Sequence, residues 1–324
     1  MKKRYASAAL LLALVVAVSL VAGPAAQAAY PEKPIQLIVT WNPGGRTDRV
    51  ARVWAEVAAK HFGRPVAVVN KPGGGGTKGT IYVHKAKPDG YTLMATTIGN
   101  QVLGAIKARV PYKHNDFEAV GQITTSSVSI FANKKQPFHD LKSLVAYAKK
   151  NPGKVTYSGV RGGLPMLAIE LFAESAGIKL RHVHYKGDAK AIPAALGGHV
   201  NFAVASSASV VLQHLRAGTA DAYVFFNARP DPFAPEVPTA QSLGYDVVAN
   251  PWTGIAAPQG APAAILAKIR DVFQKTIADP EMKRLMEKIG ESLDVLDHEQ
   301  FAARWDKDYQ QFKPLMERLG LTPK

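Results

Sequence analysis

Two short stretches carry residue types able to capture an anion. Gly44-Gly45 is followed by Arg46, and Gly162-Gly163 is preceded by Arg161. In each, a β-rich run ends in the glycine pair and a helical pattern starts just behind it. Glycine lets the main chain approach a ligand closely. The helix start points unpaired N–H groups and a positive dipole end at the same spot. Such a turn selects an oxyanion: carboxylate, sulfonate or phosphate. An adjacent arginine can hold a carboxylate in two parallel hydrogen bonds. The pairs stand 118 residues apart, from Gly45 to Gly163, enough for one per domain. A glycine pair is also an ordinary turn in α/β proteins, so the surrounding chain must decide.

Other chemistry has weaker support. Gly74-Gly75-Gly76-Thr77-Lys78-Gly79 matches the G-x-G-x-x-G dinucleotide pattern, but the acid expected about 20 residues on is missing. A main-chain turn beside a cleft is the better reading. His182 and His184 share one strand face as two metal ligands would, yet no third ligand stands at a telling interval. The chain has no cysteine, which removes disulfides, thiolate nucleophiles and cysteine-ligated metals. G-x-S-x-G and H-E-x-x-H are both absent. No cofactor is expected.

The elements that must position the glycine turns alternate between strand and helix. Pro34–Val39 reads as a strand, and a helix begins near Thr47 with Asp48 in its first turn, where the dipole favours an acid. Val50, Val53, Trp54, Val57 and Ala58 form an apolar stripe, and Gly63 fits a C-terminal cap. A strand over Val66–Val69, a glycine-rich loop, a helix and a strand over Tyr91–Ala95 follow. The unit recurs as a strand over Lys154–Tyr157, the second glycine loop, a helix from Pro165 and a cap at Gly177. This alternation implies right-handed crossovers and a mainly parallel sheet with helices on both faces. Near the C-terminus, three apolar stripes (Ile265, Ile269, Phe273, Ile277; Met282, Leu285, Met286, Ile289; Phe301, Trp305, Tyr309, Phe312) read as core.

The 324 residues, with 47% hydrophobic and 20% charged side chains, make a globular chain of roughly two domains. Lys2-Lys3-Arg4, the apolar run Ala8–Ala22 and the small-residue site Ala26-Gln27-Ala28 form the three-part pattern of a secretory signal cleaved near Ala28. The apolar run is shorter than a membrane span. No cysteine follows it for lipid attachment. An exported, soluble protein is expected. Cleavage lowers the formal charge from +15 to +12. Either a solvated basic surface or a field that draws in small anions accounts for that charge. Export and the lack of a basic helix argue against nucleic acid.

From Tyr30 onward the chain resembles the periplasmic substrate-binding receptors of tripartite tricarboxylate transporters, often called Bug receptors. The resemblance rests on Tyr30–Ile35, Pro43–Asp48, Asn70–Gly75, Pro88–Leu93, Asn151–Lys154, Tyr185–Gly187, Ala234–Thr239 and Trp252–Gly254, in the family's order over nearly the whole mature length. It implies a fold like the type II periplasmic binding proteins: two α/β lobes closing over an anionic ligand. The expected division is a signal peptide over 1–28, lobe 1 over 29–126 plus 253–324, and lobe 2 over 127–252. It also implies a periplasmic location, membrane permease subunits as partners and no catalysis. A monomer is expected, and a sensor feeding a signalling partner would share the same site.

The candidate ligand set carried over is Asn42, Gly44, Gly45, Arg46, Thr47, Asp48, Thr97, Asn100, Ser158, Arg161, Gly162, Gly163, Tyr185, Ser206 and Trp252. In the family the first loop grips a carboxylate through main-chain N–H groups, a role that falls here to Gly44, Gly45, Thr47 and Asp48. This chain departs from the pattern in several places. Arg46 replaces a small residue. The second loop reads Ser158-Gly159-Val160-Arg161-Gly162-Gly163, without the family's serine and histidine. Val204-Ala205-Ser206 lacks the usual acid, and Asn100-Gln101 stands where Thr-His is common. Two added arginines and a lost acid favour a di- or tricarboxylate, with Trp252 and Tyr185 as an apolar wall for an aromatic one. The competing class is a secreted α/β enzyme of small acids using Asp48 or a histidine as base.

Overall fold

The computed structural model describes residues 30–323 apart from 186, 187 and 207. The expected signal segment, and Lys186-Gly187, lie outside the described residues. The chain runs β1 (Ile35–Val39), α1 (Arg46–Phe62), β2 (Val66–Asn70), α2 (Thr77–His84), β3 (Thr92–Thr97), α3 (Ile98–Lys107) and β4 (Phe117–Thr125). It continues as β5 (Ser129–Asn133), α4 (Leu141–Lys150), β6 (Thr156–Gly159), α5 (Leu164–Ala176), β7 (Arg181–His184), α6 (Asp188–Leu196), β8 (Phe202–Ala205), α7 (Ala208–Arg216) and β9 (Ala220–Phe225). After a long connection come β10 (Trp252–Pro258), α8 (Ala263–Ala278), α9 (Pro280–Lys288) and α10 (His298–Arg318).

These strands form two sheets of the same design, β2-β1-β3-β10-β4 and β7-β6-β8-β5-β9. The first three strands of each are parallel. The fourth is antiparallel to both neighbours. The sheets are therefore mixed, where a mainly parallel one was expected. β5 and β10 each follow directly on a passage between sheets, and each fills the fourth place of the sheet it enters. Alternation in sequence does not reveal such an insertion.

Side-chain alternation along β1 sorts the core of the first sheet. Leu37 and Val39 join Val50, Trp54, Val57, Leu93, Ile269, Phe273, Met282 and Met286, so α1, α8 and α9 cover one face. Ile38 faces the other way, toward Met94, Val102, Phe301, Trp305 and Phe312 of β3, α3 and α10. All three C-terminal stripes contribute buried core residues. Gly121 and Gly254 make the packing close: a Cβ at either would lie 2.3 or 2.4 Å from the rings of Phe273 or Phe301. The helix ends follow the expected signals, since Gly63 and Gly177 both adopt the left-handed conformation (φ 66° and 63°) behind α1 and α5.

The chain leaves the first sheet after Thr125 and returns at Trp252, and the two passages touch. Ser126 N–H donates to the Pro251 carbonyl at 2.8 Å. α10 backs this junction: the Asp308 carboxylate accepts the Trp252 indole N–H at 2.7 Å, and Gln311 donates to the Val248 carbonyl at 3.2 Å.

Candidate functional site

The carboxyl ends of the strands in both sheets open on one cleft of about 330 Å³. That is where open α/β sheets bind ligands, and the volume lies near the lower end of the usual range for small-molecule sites, about 300–1,000 Å³. The first sheet contributes Trp41, Arg46 and Thr47 after β1, Gly75 after β2, Thr97, Ile98 and Gly99 at the end of β3, and Leu103 and Lys107 from α3. The second contributes Val160, Gly163, Leu164 and Pro165 after β6, Asp188 after β7 and Ser206 after β8. Pro251 and Trp252 line it at the junction.

Many of these residues open a helix. α1 starts behind Gly45 and α5 behind Gly163, both N-cap residues extended and without a side-chain cap. The first N–H groups of a helix have no partner within it. The starts of α1 and α5, from different sheets, thus bring uncapped N–H groups to one space, with Thr47, Gly163 and Leu164 on its walls. Pro165 has no N–H, which leaves those of Leu164 and Met166 in the first turn of α5.

The glycines act differently from expectation. Gly44 N–H donates to the Asp48 carboxylate at 2.9 Å, and Gly45 N–H reaches the Asn42 carbonyl at 3.4 Å. Gly162 N–H points at the Met166 sulfur, and Gly163 N–H donates to the Val160 carbonyl. The four glycine N–H groups shape the turns. The N–H groups left for a ligand belong to the residues just after them.

Asp48 is the keystone of the first turn. Its carboxylate accepts from Gly44 N–H, from Arg52 at 2.9 and 3.0 Å and from Asn70 at 2.8 Å. Burial pushes its pKa up, but the hydrogen bonds from Arg52, Gly44 and Asn70 outweigh this and hold it below the ordinary value. A carboxylate with these partners neither meets a ligand directly nor serves as a free base.

The structure corrects the two-arginine premise. Arg46 is clamped by Glu291 at 2.8 Å and also donates to Thr253 and the Thr125 carbonyl. Arg161 is exposed and off the cleft wall. Beside Arg46 the cleft has a second cation, Lys107, at the end of α3. Burial alone lowers its pKa, and it has no hydrogen-bonding or acidic partner among the described residues. A Cβ on Gly75 would lie 3.5 Å from its Nζ, so the glycine leaves the ammonium its place. Ala205 stands in the place of the usual acid, but a different acid is in the cleft. Asp188 lines the cleft and accepts from the Ser206 N–H and hydroxyl at 3.1 and 3.3 Å.

The remaining candidates divide by position. Thr97 and Trp252 line the cleft, the former accepting the Trp41 indole N–H at 3.2 Å. Asn100 lies behind it, fully buried, joining Thr97 to Thr80. Ser158 is buried and donates to the Ala191 carbonyl. Asn42 is exposed, and Tyr185 packs with the α6 and α7 core away from the cleft. Sequence reasoning missed Trp41, Gly75, Ile98, Gly99, Leu103 and Lys107 from the first sheet, Val160, Leu164, Pro165 and Asp188 from the second, and Pro251 at the junction. The turn after β3 and the apolar stripe of α3 were the available signals.

Residues 50–321 match the model of the tripartite tricarboxylate transporter family receptor. The chain belongs to that family. As a member of the tripartite tricarboxylate transporter receptors it is a solute-binding protein. It is 33% identical to BugT of Bordetella pertussis over 79% of each chain. A solved TctC solute-binding protein from Polaromonas is 25% identical, with a TM-score of 0.79 over 89% of this chain and 99% of that one. MatC from Rhodopseudomonas palustris, solved with bound malate, is 25% identical, with a TM-score of 0.72 over 88% and 99%. Among the described residues no helix is long and apolar enough to cross a membrane, and no cluster of three or more His, Asp or Glu suits a metal ion.

Proposed function

We propose that this receptor captures a small organic dianion, a dicarboxylate with an apolar middle, between two lobes in the periplasm and passes it to the membrane subunits of its transporter. The lobes are 29–126 with 253–324, and 127–252, each built on one sheet. The observation that carries the reading is the meeting of two uncapped helix starts with Lys107, a cation without a partner among the described residues, in a single cleft. One carboxylate takes the N–H groups at Arg46–Thr47, and the Leu164 and Met166 N–H groups close on the ligand from the second lobe. Lys107 neutralises the other charge. Trp41, Ile98, Leu103 and Trp252 supply an apolar wall wide enough for a carbon chain or ring.

The malate bound by MatC has this charge and size, which supports a dicarboxylate. The competing ligand is an α-amino acid, whose ammonium would meet Asp188, the carboxylate that lines the cleft and accepts from Ser206. Calorimetry on the mature protein with dicarboxylates, matched monocarboxylates, aspartate and glutamate tests the reading. One-to-one binding of a dicarboxylate recovered chemically unchanged is expected. Conversion of the ligand, or tight binding of the amino acids alone, would overturn it.

A further inference from the structure

A second groove, of about 710 Å³, lies on the first sheet at the strand ends away from the cleft. Its floor includes Gln36 and Thr92, near the starts of β1 and β3, and one face of α2 forms a wall. Lys33, Lys78, Lys85 and Lys87 are exposed around it. None of them has a carboxylate partner among the described residues. Asp89 is the acid on its lining, and that carboxylate already accepts the Tyr91 N–H at 3.0 Å. Tyr82, on the same wall, is one of two large exposed hydrophobic residues described, with Lys71 Nζ 4.1 Å from its ring centre.

Like charges gathered without counter-charges repel one another, and the arrangement gains when an anionic partner covers it. The chain's own segment before Tyr30 cannot be that partner, since it carries Lys2, Lys3 and Arg4 and no acid. We propose that this groove docks an acidic segment of a partner protein, with an apolar or aromatic side chain of that segment resting on Tyr82. Its concave shape favours an extended chain over a flat bilayer surface. Lysines along the rim set the encounter rate and salt dependence, and the tyrosine supplies the anchor. The groove serves docking, separately from the ligand cleft.

Fluorescence anisotropy with a labelled glutamate-rich peptide carrying one central phenylalanine tests this on the mature protein. The triple variant Lys33→Glu, Lys85→Glu, Lys87→Glu should weaken binding at least about tenfold, and Tyr82→Ala should weaken it about threefold even at high salt. The control triple variant Lys149→Glu, Lys150→Glu, Lys154→Glu, on exposed positions in and after α4, should leave it within about twofold. Thermal unfolding checks that both triples fold; if the first does not, Lys85→Glu alone replaces it, with a loss of about threefold expected. Equal weakening by both triples, or no weakening by the groove variants, would overturn the proposal. So would vesicles of anionic phospholipid binding in a groove-dependent way while the peptide does not.

Discussion

Replacing Lys107 by methionine keeps the length of the side chain and removes its charge. The ammonium is partly buried and has no acidic partner among the described residues, and burial lowers its pKa below the ordinary lysine value. A ligand carboxylate at Nζ would supply the missing partner, and a hydrogen bond to a charged group contributes about 1.5–3 kcal/mol. With about 1.4 kcal/mol per factor of ten, Lys107→Met should weaken a dicarboxylate about 10- to 150-fold. A matched monocarboxylate should change little. The unliganded variant should melt no lower than the parent, because an uncompensated charge has been taken out of a partly buried site. The pH dependence has a definite sign: affinity in the parent falls as pH rises through the lowered lysine pKa, and the variant loses this dependence. Calorimetry across pH and thermal unfolding read all three. Unchanged dicarboxylate affinity in the variant would refute the assignment.

Other perturbations separate site from scaffold. Asp48→Asn should lower stability by about 1.5–3 kcal/mol, since Arg52, Gly44 and Asn70 all lose their ionised acceptor. The lowered pKa of Asp48 means this stabilisation is present above its unfolded-state pKa and disappears as pH falls through the folded one; acid unfolding should show it, and the variant should not. Arg161→Ala should leave ligand affinity within about twofold, because the side chain is exposed and outside the cleft; a loss above tenfold by calorimetry would return it to the site. Gly254→Ala should cost several kcal/mol or prevent folding, as its Cβ would lie 2.4 Å from Phe301 and 2.6 Å from the Gly121 carbonyl, with soluble yield and melting temperature as readouts.

Much of the scaffold was legible because its signals are local. Gly63 and Gly177 end α1 and α5 as helix-cap chemistry requires, and both glycine turns stand between a strand and a helix. The site was less legible because its charges are settled by distant residues. Arg46 reads as a ligand arginine until Glu291, 245 positions away, takes it. Lys107 draws no attention in the sequence, and only folding brings its ammonium over Gly75. Asp188 and Ser206 meet only because β7 and β8 flank β6. The antiparallel places of β5 and β10 follow from passages between sheets, which no local pattern encodes.

Two helix starts, one from each sheet, are expected to share a single anion. Nuclear magnetic resonance of the backbone amides during titration with malate or succinate tests this directly. Thr47, Leu164 and Met166 should shift together and give one dissociation constant. Shifts confined to one sheet, or gathered on the lysine groove beside Tyr82, would contradict it.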